Sequence, residues 1–369
     1  MWLRVQVERL PSEITKVIVC SRTENRDEFS MPRIHSLFDE SRPQYYWERF
    51  TSRLGFEGEG RYIAKTAREV GAQILHSHFG PRGWGGARAA KRCSLKHAVS
   101  FYGHDVTALP KGERRWVRRY ESLFQQANRI ISEGPFMARS LIELGAPSEK
   151  VVVHHLGVPT EKLRFSSRQW GEGEPLRILL SGRFQEKKGM TYAVDAVAKI
   201  SKDVPVELTI VGDANELQQR SRQEKARVIA AIERGGLRDR TRLLGFQPHS
   251  RLMEEGYRHH VFLSPSVTAS DGDAEGGLPY VMTELLATGM PVVSTRHCDT
   301  PELIEHGVTG LLADERDGDG LASNLRWLAE HPQEWRRLAG AGRARVEAEF
   351  NAAIQGERLA AIYRGMVES

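Results

Sequence analysis

Two acids bracket a glycine turn in EGGLPYVMTELLATGMPVVST, residues 275–295. Gly276 and Gly277 precede Pro279, and proline suits a first helical turn, where its missing N–H costs nothing. Val281, Leu285, Ala287 and Met290 then form an apolar stripe that stops at Gly289 and Pro291. The stretch therefore reads as a glycine loop, a short helix and a strand. A helix N-terminus attracts an anion such as phosphate, and glycines let that anion approach the backbone. Glu275 falls in the loop and Glu284 within the helix. One carboxylate can reach a sugar while the other accepts hydrogen bonds from two adjacent hydroxyls. The plainer alternative is a loop charge and a solvated helix face.

A second cluster, SGRFQEKKG at 181–189, follows a predicted strand. Gly182 permits a tight turn, Arg183 offers a fork of donors and Lys188 a point charge, before a helix opening at Gly189 or Thr191. Two cations at a strand's carboxyl end suit a diphosphate, although a surface charge cluster would look the same taken alone. The DGD at 271–273 keeps a divalent-metal alternative in view.

These residues need a scaffold, and the chain supplies one. Short β-branched runs at 16–20, 72–78, 97–101, 128–132 and 150–156 alternate with helical patterns. The stretch 157–176 breaks the rhythm with Pro, Gly and Ser and reads as a linker, and the rhythm restarts at 177–183, 206–213, 240–245, 261–266 and 291–295. Continuous apolar strands imply parallel sheets covered on both faces. The expectation is two doubly wound α/β domains in series: 1–165, 166–350, and a closing helix in 351–369 that packs on either domain. Ligands of such sheets lie at the carboxyl ends of the strands, so a cleft between the two domains is expected to hold them.

A length of 369 residues fits two cores, and a formal charge of +5 suits anionic small molecules, lipid surfaces or nucleic acid about equally. No nucleic-acid motif stands behind the charge. Cys20, Cys93 and Cys298 are odd in number and widely spaced, which suggests neither a disulfide framework nor zinc and points to a reducing cytoplasm. No apolar run is long enough to span a membrane, so any membrane contact would be peripheral. Lys111, Arg114, Arg115, Arg118 and Arg119 surround Trp116 and Phe124 in 111–124, a pattern that suits either an anionic membrane interface or a solvated helix over core aromatics.

The two clusters together resemble the donor site of family-4 glycosyltransferases, retaining GT-B enzymes. GRFQEKKG is similar to that family's G-R-x-x-x-x-K-G turn, and 275–295 to its acid–loop–acid helix. HSHFGP (76–81), SFYGHDVT (100–107) and STRHCDTPELIEHGVTGLL (294–312) extend the likeness over nearly the whole chain. The resemblance implies a nucleoside diphosphate sugar as substrate, UDP-linked first and GDP-linked next, with no cofactor and no metal. It implies that Arg183 and Lys188 bind the diphosphate and Glu284 the ribose. Glu275, Gly276, Gly277, Leu278 and Pro279 would face the donor sugar and phosphates, with Gly182 shaping the turn. Catalysis would rest on Glu275, Arg183 and Lys188. On the acceptor side the candidates are His78, Tyr102, His104 and Asp105, with His76 beside them, and the acceptor would be a glycan or lipid-linked saccharide in bacterial surface polysaccharide assembly, at the inner face of the membrane.

Three features depart from the family pattern. The acids lie nine apart (284 − 275) where the family usually has eight, so the glycine loop holds one extra residue. Tyr102 replaces a histidine common in relatives. A first strand normally precedes a helix like WLRVQVERL, and here Met1 stands almost at that helix. These departures keep a rival reading open: a noncatalytic subunit that binds the nucleotide sugar without transferring it.

Overall fold

The computed structural model describes residues 2–24, 31, 33–53, 60–171 and 173–368. The chain divides into two compact units, Met1–Gly157 with Ala352–Ser369, and Val158–Asn351.

In the first unit, β1 (Ile18–Cys20) and β2 (Ile34–Ser36) form a small parallel pair. β3 (Ile74–His78), β4 (Lys96–Ser100), β5 (Arg129–Ser132) and β6 (Val151–Val153) form a parallel sheet in chain order. The two-residue period of a strand sorts its side chains. Val99 and Ile130 pack with Tyr120, Leu123 and Phe124 on one face. Their neighbours Ala98 and Ile131 join Leu10, Leu359, Ala360 and Met366 on the other. The closing helix Ala352–Glu368 thus covers one face of the first unit's sheet.

The second unit holds β7 (Leu176–Ser181), β8 (Val206–Val211), β9 (Thr241–Leu243), β10 (Val261–Ser264), β11 (Val292–Thr295) and β12 (Leu311–Ala313). They lie in the order β12-β11-β10-β7-β8-β9, all parallel. The order reverses between β7 and β10, which pair at Val261–Ile178 and Phe262–Leu179. A switch of this kind opens a crevice outside the carboxyl ends of the two strands. Ile178 and Leu180 face one apolar layer and Leu179 the other, so the sheet is buried on both sides.

The stretch 157–176, whose composition predicts a linker, is instead held against the second unit. Arg168 is buried and donates to the carbonyls of His259 (3.1 Å), Gly256 (2.9 Å) and Thr288 (3.0 Å). Composition signals a loop but cannot show that one guanidinium will satisfy several buried carbonyls. The division of the chain into compact units falls at Gly157.

Candidate functional site

Both sequence clusters lie at the carboxyl ends flanking the switch. β7 runs directly into Gly182, Arg183 and Phe184; Phe184 is buried and anchors the turn. Glu186–Lys188 form one 3-10 turn, and Gly189 at φ +61° opens the helix Met190–Ile200. A side chain at Gly189 would collide with the Pro265 carbonyl just past β10, so glycine allows the two strand exits to touch.

Three consecutive residues of that turn grip the loop after β10. Glu186 accepts from the Ser270 N–H (3.0 Å) and hydroxyl (2.6 Å). Lys187 Nζ lies 3.1 Å from Asp273 and 3.2 Å from the Ala274 carbonyl. Lys188 Nζ lies 2.7 Å from Glu275 Oε1, which also accepts from Ser266 Oγ at 3.2 Å. Burial alone would raise the Glu275 pKa, but Lys188 and Lys187 outweigh it and hold the carboxyl below its usual value. Arg183 is exposed and, among the described residues, makes no hydrogen bond or ion pair. The turn therefore offers one uncommitted guanidinium beside an ammonium already held in place. Asp271 pairs with Arg220 and Asp273 with Lys187, so the two acids of the DGD are engaged by cations.

Gly276 adopts φ +75°, which gives the loop room for an extra residue without moving the helix behind it. Pro279 stands at the N-cap of helix Tyr280–Ala287, one position earlier than its first-turn preference predicts. Glu284, buried in this helix, bonds through both oxygens to His249 Nε2 at 2.9 and 3.0 Å. The solvated helix face considered for Glu284 is therefore absent. Burial, with Glu284 adding to it, pushes the Tyr280 hydroxyl far above its ordinary pKa. His249 belongs to GFQPHS at 245–250.

In the first unit the strand ends carry neutral partners. His78 closes β3, and its Nδ1 lies 2.7 Å from the Tyr102 hydroxyl. His76 Nδ1 lies 2.5 Å from Tyr363 Oη and its Nε2 2.8 Å from Ser100 Oγ, while its ring stacks on His78 at 4.3 Å. Burial lowers the His78 pKa to about 4, and lowers His76 well below 6.5 with help from His78. Trp2 lies 4.7 Å from the Tyr102 ring and Phe79 4.5 Å from it, so the histidine pair has an aromatic rim that sequence reading did not single out. Phe79 holds φ +73°, an uncommon conformation for a large residue. His104 is exposed. Asp105 is buried, accepts from the Gly80 N–H (2.8 Å) and the Tyr102 N–H (3.4 Å), and is raised to about pKa 6 by burial. Its carboxylate is therefore engaged in holding the strand-to-helix turn.

The helix Arg115–Gln126 buries Trp116 and Phe124 in the core, while Arg119 lies over the Trp84 and Trp116 rings. The aromatics of 111–124 thus do not reach a membrane interface; the helix shows its charges instead. Exposed aromatics gather elsewhere, at Tyr46, Trp47 and Phe50. Among the described residues no helix is long and apolar enough to cross a membrane.

The family described as glycosyltransferase family 4 matches residues 6–162, and glycosyl transferases group 1 matches 175–331. The amylovoran biosynthesis glycosyltransferase AmsK of Erwinia amylovora is 34% identical over 306 residues, covering 81% of this chain and 72% of that protein. WcaL of Escherichia coli, named for colanic acid biosynthesis, is 30% identical over 85% of this chain and 77% of its own length. The crystal structure of Anabaena Alr3699/HepE in complex with UDP and glucose superposes with a TM-score of 0.78 at 18% identity, covering 98% of this chain and 95% of that one. The likeness in fold is therefore to a GT-B protein, and the likeness in sequence is to sugar transferases. With both halves matched in order, the chain belongs to the group 1 and family 4 glycosyltransferases, and it is a transferase of the GT-B fold.

Proposed function

We propose that this chain transfers a hexose from a UDP-sugar to a glycan or lipid-linked saccharide during bacterial surface polysaccharide synthesis, with retained configuration and without a metal. The observation that carries the reading is the pairing of Lys188 with Glu275 at 2.7 Å, beside the uncommitted Arg183, at the ends of β7 and β10. Arg183 and Lys188 bind the diphosphate and stabilise the negative charge that grows on it as the C1–oxygen bond breaks. Glu275 and the backbone of Gly276 to Pro279 hold the donor sugar and phosphates. Glu284, oriented by His249, accepts the ribose hydroxyls. The acceptor hydroxyl forms the new C1–O bond, and its proton passes to the departing phosphate oxygen on the same face. His78, Tyr102 and the aromatic rim of the first unit bind acceptor sugar.

The polysaccharide setting is supported by the names of AmsK and WcaL, and UDP by the HepE complexes with UDP and with UDP-glucose. Calorimetric titration with UDP-, GDP- and ADP-sugars in EDTA, followed by donor hydrolysis, tests the reading. Binding of UDP-sugar that is lost in Arg183→Ala and Glu284→Ala, with slow hydrolysis, is the expected result. Binding with neither hydrolysis nor transfer would favour a noncatalytic subunit, and inversion in the product would end the same-face step.

A further inference from the structure

The loop after β10 is held at Thr268 by one carboxylate and at Glu275 by a histidine that the same carboxylate engages. Glu315, just past β12, accepts from the Thr268 N–H at 2.7 Å through Oε2 and from the Thr268 hydroxyl at 3.3 Å through Oε1. The same Oε1 lies 2.6 Å from Nδ1 of His297, a side chain with no exposed surface in the turn after β11. The other ring nitrogen, Nε2, lies 3.1 Å from the backbone nitrogen of Glu275. A carboxylate can only accept from Nδ1, so Nδ1 carries the proton, and Nε2 is left with a lone pair for the Glu275 N–H. Cys298 Sγ stands 3.2 Å from the same Nε2. Burial pushes that thiol up to about pKa 12, so it stays protonated and adds a weak second donor to an accepting nitrogen. Burial would raise Glu315, but the Thr268 N–H and His297 more than offset this and hold it ionised.

We infer that His297, oriented by Glu315, is a positioning residue that fixes the Glu275 carboxylate by holding that residue's own backbone N–H. The inference rests on the donor-site role proposed above for Glu275. The geometry gives it a direct rationale. Glu275 is held through its side chain by Lys188, a group that a diphosphate must engage, and through its backbone by His297, which a diphosphate need not disturb. When phosphate draws on Lys188, the backbone bond and the Ser266 hydroxyl are the constraints that remain. A displacement of about 1 Å at a reacting centre costs up to about 100-fold in rate, so loss of the clamp should appear in turnover.

Three substitutions separate the two bonds of the ring. His297→Asn places an amide near Nδ1 and keeps the Glu315 bond; His297→Gln places an oxygen near Nε2 and keeps the Glu275 N–H bond; His297→Ala loses both. Hydrogen exchange of the segment 268–277 in the free protein, and UDP-glucose hydrolysis, are measured on all three. Positioning predicts faster exchange in His297→Ala and His297→Asn, with kcat reduced about 10- to 100-fold and KM changed little. His297→Gln should restore slow exchange and most of kcat. If His297→Ala does not fold, His297→Asn and His297→Gln carry the comparison between them, because they differ in which ring bond is kept. Wild-type exchange in all variants, or equal losses in Asn and Gln, would overturn the inference. If the wild type does not hydrolyse UDP-glucose, the donor reading is what fails, and the exchange measurement alone decides whether His297 holds the Glu275 backbone.

Discussion

The two units share one architectural rhythm but dress their strand ends in opposite chemistry. At β7 and β10 the groups are charged: Lys187 with Asp273, Lys188 with Glu275, and Arg183 uncommitted. At β3 and β4 they are neutral: His76, His78, Ser100 and Tyr102 hydrogen-bonded to one another beneath aromatic rings. The same βα turn can thus present a preorganised field for an anion or a neutral, hydrogen-bonding wall for a sugar. Which it becomes depends on a few side chains rather than on the sheet.

The sharpest way to break this comparison is at the charged end. Lys188→Ala should lower donor turnover by about 100- to 1,000-fold, the usual loss when a donor to developing charge is removed. A loss below about threefold in the hydrolysis assay would mean that the cations are ornamental and the contrast empty. Glu284→Ala comes next. Loss of charge-assisted bonds to two hydroxyls should weaken UDP-sugar binding about 10- to 100-fold by calorimetry, with His249→Ala weaker in the same direction.

Acid stability sharpens the comparison from the other side. Burial lowers His78, His97 and His154 of the first unit to about pKa 4, against about 6.5 in an unfolded chain. The folded state therefore prefers the neutral ring, and the stability it contributes is present above pH 6.5 and lost as pH falls from 6.5 through 4. Asp105, raised to about 6, works against this trend. In the second unit Glu275, Glu315 and Asp213 are lowered, so their contribution is lost only as pH falls below the ordinary carboxylate range, while His260, at about 4, and His259, also lowered by burial, add two groups of the histidine kind. Hydrogen exchange followed from pH 7 to 4 should show 74–155 opening at higher pH than 176–313. Simultaneous opening would show that the neutral wall carries no separate cost. The smallest effect belongs to Tyr102→Phe, which removes one neutral bond to His78: about 0.5–1.5 kcal/mol in thermal stability and no change in UDP-sugar affinity.

Much of the charged turn after β7 was legible because its signals are local. Glycine and proline punctuate it, the charges sit at strand ends, and β-branched runs mark the strands themselves. Its supports were not legible. His249 meets Glu284 across 35 positions, His297 meets Glu275 across 22 and Glu315 across 18, and no local pattern announces bonds of that range. The core-aromatic alternative for 111–124 was legible from local spacing. Trp116, Tyr120, Leu123 and Phe124 fall at i, i+4, i+7 and i+8, the spacing of a core-facing stripe, and all four are buried. Arg168 is different: nothing in its surroundings distinguishes a buried strap from a solvated loop until the carbonyls of Gly256 and Thr288 are in place.

The return of the chain to its first unit has a consequence for biosynthesis. Ala98 and Ile131 are covered by Leu359, Ala360 and Met366, residues made after 158–351. While the ribosome builds 158–351, one face of the first sheet is without its closing helix, and an apolar surface of that kind is where nascent chains associate. Synthesis of 352–368, rather than completion of the first sheet's strands, is the event that lets the amino-terminal half finish folding.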